Sequence, residues 1–237
     1  GQNMQRLTGE TFKAGSFTFS GVNAADLQEP EYTLVNIVVD TSGSVQSFAD
    51  DLLAALEASI GSCKLSPRRE NLLVRVTEFN FHVNELHGYK LLNSIDTYSP
   101  LRCGGNTALC DAVLDAITSL SDYSNHLIQK KIDVNGVIFI ITDGEENASK
   151  ASSGMVAQKI QSLRQSERGC QFTTNLIAIN ASQCIDSLKD LMKDCKLDMF
   201  LDFGEATESN LAKLGGFLSR SISTTSQSLA SGTPLTF

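Results

Sequence analysis

No apolar run in this 237-residue chain is long enough to cross a bilayer, so membrane insertion through a helix is not expected. Basic residues are not gathered either. Net charge is −8, and only Arg68-Arg69 and Lys130-Lys131 stand as adjacent cations, so no stripe suits nucleic acid or an anionic surface. The six cysteines, at 63, 103, 110, 170, 184 and 195, include no Cys-x-x-Cys pair, which leaves a zinc or redox motif unsupported. A chain of this length does not need disulfides, and reduced thiols in a cytoplasmic protein are expected; no leader peptide is visible. Cys103 and Cys110 flank residues 104–107, where packing near a turn is expected rather than a bond. Gly-x-Gly-x-x-Gly and P-loop patterns are absent, as are a convincing Ser-His-Asp order and a nucleophilic Cys–His pair. No internal repeat is evident.

What is present is a globular composition, 41% hydrophobic, with strand and helix patterns in alternation. Residues 33–39 are almost wholly apolar and rich in Val and Ile, as in a strand covered on both faces. Residues 45–60 carry a helical stripe with Gly61 as a stop. Residues 71–80 predict a strand and 81–92 its hairpin partner at the sheet edge. Helix 107–120, strand 137–141, helix 152–168, strand 172–179, helix 182–195, strand 197–203 and helix 207–219, capped by Thr207, follow. The fold class is therefore α/β, with long crossovers making a parallel sheet and helices on both faces. Residues 1–30 form an extension whose Phe12, Phe17 and Phe19 suggest a short strand or hairpin, residues 31–219 the domain, and 220–237 a flexible Ser/Thr-rich tail.

Three loops carry the chemistry. Asp40, Ser42 and Ser44 follow the first strand, Thr107 follows Gly104-Gly105-Asn106, and Asp143 follows the strand at 137–141. In a doubly wound sheet, ligands sit beyond the carboxyl ends of the strands where strand order reverses, which brings these distant positions together. Two carboxylates and three hydroxyls, with no His or Cys, suit a hard cation such as Mg²⁺. Gly43 permits an unusual backbone angle, and Gly104 and Gly105 permit close approach. A shell built partly on neutral hydroxyls leaves the ion short of negative charge and ready for a carboxylate from outside.

This arrangement resembles the von Willebrand factor type A (VWA) family and its metal-ion-dependent adhesion site (MIDAS). The pattern Asp-x-Ser-x-Ser, a Thr, then an Asp is met by Asp40, Ser42, Ser44, Thr107 and Asp143, in order. The resemblance covers roughly residues 31–219. It implies a Rossmann-like doubly wound sheet of five parallel strands and one antiparallel edge strand. It also implies Mg²⁺ or Mn²⁺ at these residues, the hydroxyls as direct ligands and the two Asp acting directly or through water. The implied function is a protein–protein interaction module in which a partner's Asp or Glu completes the metal shell, read as an adaptor subunit of an intracellular complex rather than an enzyme.

Two other readings stay open. A Mg²⁺-dependent phosphohydrolase would use Asp40, but the second Asp such enzymes need two residues on is here Ser42. A metal-independent scaffold leaves the five-residue set without purpose. Ser42 and Ser44 as helix caps, or Asp143-Gly144 as a plain turn, explain single residues but not the set. Glu145 and Glu146 read as solvated loop charges. His82 and His87 fall on opposite strand faces, and His126 on the surface at a helix end. Asn147-Ala148-Ser149 and Asn180-Ala181-Ser182 fit the glycosylation sequon, silent in a cytoplasmic protein.

Overall fold

The computed structural model describes residues 9–235. Its strands are β1 (Gly9–Ala14), β2 (Phe17–Val22), β3 (Glu31–Asp40), β4 (Leu72–Phe79), β5 (Val83–Leu91), β6 (Asp133–Thr142), β7 (Gln171–Ala178) and β8 (Met199–Asp202). Its helices are α1 (Ala49–Cys63), α2 (Leu109–Gln129), α3 (Ser153–Gln165), α4 (Ile185–Cys195) and α5 (Glu208–Ser231). They build one eight-stranded sheet in the order β1-β2-β5-β4-β3-β6-β7-β8. Strands β4, β3, β6, β7 and β8 run parallel, while β5 runs antiparallel to β4. The α/β, doubly wound expectation holds.

Two apolar layers explain why β3 and β6 lack alternation. Leu34, Val38, Ile138 and Ile140 point into one layer with α2, α3 and α4; Val35, Ile37, Val39, Val137, Phe139 and Ile141 point into the other with α1 and α5. Both strands are covered on both faces, so both need apolar residues at nearly every position. The chain leaves β3 through α1 toward β4 on one side and reaches β6 on the other. Strand order reverses between β3 and β6, whose register pairs Val39 with Ile141.

Several boundaries differ from expectation. Residues 43–48 wind as a 3-10 turn, and α1 starts at Ala49. The helix passes through Gly61, around which a side chain would meet open space, and ends at Cys63. Helix α2 starts at Leu109 and continues past 120 because Tyr123 and Leu127 extend its buried stripe. The hairpin strand β5 is not the sheet edge. β1 and β2 pair antiparallel, and β2 joins β5 beside it in parallel, so the extension belongs to the same sheet; residues 1–8 of that extension lie outside the described residues.

The tail differs most. Helix α5 runs unbroken through residue 220 to Ser231, with Ile222, Thr225 and Ser226 buried, and ends on Gly232 in the left-handed region. Its small polar side chains do not mark disorder. Thr225 donates to the Ser221 carbonyl at 2.7 Å, the Thr225 carbonyl accepts from Asn135 at 2.8 Å, and Ser226 accepts from Arg68 at 2.9 Å. Residues 236 and 237 lie outside the described residues.

One buried cation ties the hairpin to the sheet. Arg75, 1% exposed, donates to Glu85 at 2.7 Å, to Asp115 of α2 at 2.8 Å and to Ser119 at 3.0 Å. Glu85 also accepts from the backbone N–H of Ser20 in β2 at 3.0 Å. Gly88 lets β2 lie this close, since a Cβ there would stand 2.0 Å from the Ser20 carbonyl oxygen. The Tyr123 hydroxyl donates to the Val22 carbonyl at 2.7 Å, closing the same seam.

Two predictions follow from this packing. Arg75→Ala leaves Asp115 buried without its cation and is expected to cost about 3–5 kcal/mol in urea unfolding; a loss under about 1 kcal/mol contradicts this account. Truncation after residue 219 removes the buried Ile222, Thr225 and Ser226 and is expected to cost at least about 2 kcal/mol, whereas a flexible tail predicts an unchanged melting curve.

Candidate functional site

The three loops meet at the carboxyl end of the sheet, where strand order reverses. Asp40 is the last residue of β3, and Thr142, the last of β6, donates its hydroxyl to Asp40 Oδ2 at 2.7 Å. Asp40 Oδ1 accepts from the Ser42 backbone N–H at 2.7 Å, so both of its oxygens are engaged. Ser44 donates to Asp143 Oδ1 at 3.0 Å and stands 3.4 Å, hydroxyl to hydroxyl, from Ser42. The Thr107 hydroxyl lies beside Gly144, where a Cβ would be 3.8 Å away. Asp40, Ser42, Thr107 and Asp143 are buried, and Ser44 is exposed at the rim. The structure thus brings together all five predicted side chains.

Backbone bonds fix the loops to one another. Gly104 N–H donates to the Thr41 carbonyl at 2.9 Å, and Gly43 N–H to the Gly105 carbonyl at 3.2 Å. Gly105 takes φ +77°, and a Cβ there would stand 2.6 Å from the Phe81 ring, so glycine is required twice over. Gly43, expected to adopt an unusual angle, is not among the positive-φ residues, and a Cβ there would meet Gly104 and Gly105 only at 4.0 Å, an ordinary contact.

The electrostatics of the site are unfavourable as it stands. Burial pushes the Asp143 carboxyl up to about 6, and the Asp40 charge pushes it the same way, while the Ser44 hydroxyl pulls it back. Two facing carboxylates with hydroxyls around them make an oxygen-only donor set, and among the described residues no group of three or more His, Cys, Asp or Glu could hold a metal. A small divalent cation fits this chemistry: it removes the repulsion and takes neutral alcohols as ligands.

Sequence reasoning missed the residues that hold Thr107 in place. Glu146, expected as a solvated charge, is half-buried and accepts from Cys110 N–H at 2.7 Å, Ala148 N–H at 3.1 Å, Ser149 N–H at 2.6 Å and the Ser149 hydroxyl at 2.6 Å. Asn147 Oδ1 accepts from Thr107 N–H at 2.8 Å, and Asn147 N–H donates to the Thr107 carbonyl at 3.0 Å. One signal was available: Ala108, the residue before α2, offers no capping side chain, so the first amides of that helix had to find acceptors elsewhere. The histidines stand apart from the five-residue cluster. His82 is exposed, His87 bonds Tyr98 at 2.6 Å, and His126 is half-buried with its ring 5.0 Å from that of Phe12. All six cysteines are free, Cys103 and Cys110 included.

Comparison with solved structures places this architecture. A point mutant of the PilB minor pilin from Streptococcus sanguinis matches with TM-score 0.61 at 14% identity, over 88% of this chain and 65% of that one. The vWF domain of the type V pili tip protein Mfa5 from Porphyromonas gingivalis matches with TM-score 0.51 at 10% identity, over 83% of this chain and 97% of that one. This chain has a VWA-like fold. Proximal thread matrix protein 1 from the mussel byssus, with a zinc occupied MIDAS motif, matches with TM-score 0.53 at 15% identity, over 82% of this chain and 46% of that one. The chain thus spans less than two thirds of the length of the pilin and byssus chains. No protein-family model matches it, and no curated protein does.

The raised Asp143 makes a pH prediction. A carboxyl lifted from 3.8 to about 6 on folding contributes stability that is fully present below its unfolded value and lost as pH rises through its folded one. In EDTA, stability from this group therefore declines between about pH 4 and pH 6. Asp143→Asn keeps an acceptor for Ser44 and is expected to gain on the order of 1–3 kcal/mol above that window. An equal loss of stability with pH in the wild type and the variant assigns the effect to another group.

Proposed function

We propose that this chain is a metal-dependent protein-binding module, in which Asp40, Ser42, Ser44, Thr107 and Asp143 hold a divalent cation that receives an Asp or Glu side chain from a partner. The observation that carries this reading is the convergence of these residues, from three loops, on one oxygen-only cluster, buried except for Ser44 at its rim. Ser42, Ser44 and Thr107 are the candidates for direct ligation. Asp40, with both oxygens already hydrogen-bonded, suits a role orienting water on the ion, and Asp143 can bind directly or through water. The bound cation, Mg²⁺ or Mn²⁺, supplies Lewis acidity toward an incoming carboxylate. The chain's own part is to shape the pocket, keep the hydroxyls oriented and offset part of the ion's charge. No bond cleavage is needed, and the engagement of both Asp40 oxygens disfavours a phosphohydrolase nucleophile there.

The pilus-tip, pilin and byssus proteins that share the fold support an adhesion role. A second reading, an adaptor within an intracellular complex, is favoured by the six unpaired cysteines, which suit a reducing cytoplasm.

Calorimetric titration of Mg²⁺ or Mn²⁺ into EDTA-stripped protein is expected to show saturable binding, lost in Ser42→Ala and Thr107→Ala. Ion at 100 times its Kd should stabilise the wild type by about 2.7 kcal/mol. Absence of both heat and thermal shift in the wild type ends this reading. Turnover of a phosphate ester that vanishes in Asp40→Asn turns it toward an enzyme. Partner capture with and without EDTA then separates a surface adhesion target from an intracellular complex.

A further inference from the structure

The loop after β6 does more than deliver Asp143. Its next residues are laced to the segment that carries Thr107 and opens α2. Asn147 forms a reciprocal pair with Thr107, accepting from its N–H at 2.8 Å and donating to its carbonyl at 3.0 Å. Glu146 accepts from Cys110 N–H at 2.7 Å, and Ser149 accepts from Asp111 N–H at 3.0 Å. Asp111 answers by accepting from Lys150 N–H at 3.0 Å and Ala151 N–H at 2.8 Å. These contacts stitch residues 107–111 to residues 146–151 in both directions.

The stitching matters because Thr107 has little else to hold it. It lies ahead of a helix whose preceding residue, Ala108, makes no side-chain cap, so the first-turn amides would otherwise be orphaned. The loop's other tethers are backbone bonds: Ala108 N–H to the Asn80 carbonyl at 2.7 Å, Gly43 N–H to the Gly105 carbonyl at 3.2 Å and Gly104 N–H to the Thr41 carbonyl at 2.9 Å. A helix N-terminus also carries partial positive charge, which is unfavourable beside a cation. Glu146 on the Cys110 amide places a carboxylate against that charge. Asn147 and Glu146 thereby act on the site through Thr107, one by fixing its backbone, the other by fixing and neutralising the helix end behind it.

We infer that Asn147 and Glu146 are positioning residues for the proposed metal site, setting its affinity for a divalent cation without ligating it. This rests on the metal-binding reading above. In metal sites, partners of this kind typically carry about 10–100-fold in affinity.

The test is the Mg²⁺ dissociation constant, by calorimetry, across a small variant set. Asn147→Leu removes the acceptor for Thr107 N–H and is expected to weaken Mg²⁺ about tenfold or more. Asn147→Asp keeps an acceptor at that place and is expected to restore binding to at least the wild-type level. Glu146→Ala should weaken binding to a similar degree as Asn147→Leu. Arg68→Ala is the control for general destabilisation: it breaks contacts to Glu31 and Ser226, remote from the site, and should lower the metal-free melting temperature while leaving the Mg²⁺ constant unchanged. Asn147→Leu binding as tightly as the wild type, or Asn147→Asp as weakly as Asn147→Leu, overturns the inference. A loss of affinity that merely tracks melting temperature through the Arg68 control does the same. A wild type that binds no Mg²⁺ fails the metal reading itself, a distinct result.

Discussion

Asp40 and Asp143 face one another across the ends of two adjacent strands, and this placement of like charges governs the architecture around them. Strands β3 and β6 are parallel neighbours with apolar layers on both faces, so neither can slide or rotate to separate the carboxylates. The protein instead manages the charge locally. Asp40 is satisfied from two directions, by the Ser42 amide and the Thr142 hydroxyl. Asp143 receives one hydroxyl, from Ser44, and burial raises its pKa to about 6. Hydrogen bonds among the three loops then lock the arrangement.

A contrast within the molecule shows why this pair reads as functional and another buried cluster does not. Arg75 also sits inside the protein with acidic company, but there the account closes: Glu85, Asp115 and Ser119 all accept from it, and Glu85 goes on to hold β2. That cluster needs nothing from outside and serves to attach the β1–β2 hairpin. At the sheet's carboxyl end Asp40 and Asp143 carry the same sign, and none of the ion pairs found among the described residues includes either. Perturbation with an internal partner is accounted for within the fold; perturbation without one, at a topological switch point, supports the proposed binding site.

Legibility in the sequence followed the range of the forces involved. β3 and β6 were readable because burial on both faces forces apolar residues at nearly every position, a signal carried within a few residues. Four of the five candidate residues were readable because their loops directly follow those strands, and Thr107 because it stands just before α2 behind two glycines. Glu146 was not, because the partner that ties it to the site, the Cys110 amide, is 36 residues away, and its local bonds to Ala148 and Ser149 do not announce that contact. The triplet Asn147-Ala148-Ser149 looked like a modification signal, yet Asn147 and Ser149 bond the Thr107 segment directly, and Ala148 bonds Glu146, which also does. The Ser/Thr-rich end misled for a related reason. Composition records that hydroxyls are present, not that Thr225 bonds the Ser221 carbonyl within the helix, that Asn135 meets the Thr225 carbonyl or that Arg68 meets the Ser226 hydroxyl.

Fold and site also place different demands on sequence, which bears on how far likeness can carry function. The pilin match holds at 14% identity because a doubly wound sheet asks only for apolar strands, amphipathic helices and suitable turns. Binding an ion asks for particular oxygens on particular loops, and a fold match says nothing of those. What supports a cation here is the local chemistry of this chain. Three neutral hydroxyls, with Asp40 already hydrogen-bonded at both oxygens, leave Asp143 as the carboxylate freest to approach the ion. A divalent ion held this way would remain electron-poor on its open side, the rim where Ser44 is exposed. A visiting carboxylate would answer that deficit, whereas a neutral or basic group would not. On the proposed reading, selectivity for an acidic partner would follow from the choice of alcohols over acids in the shell.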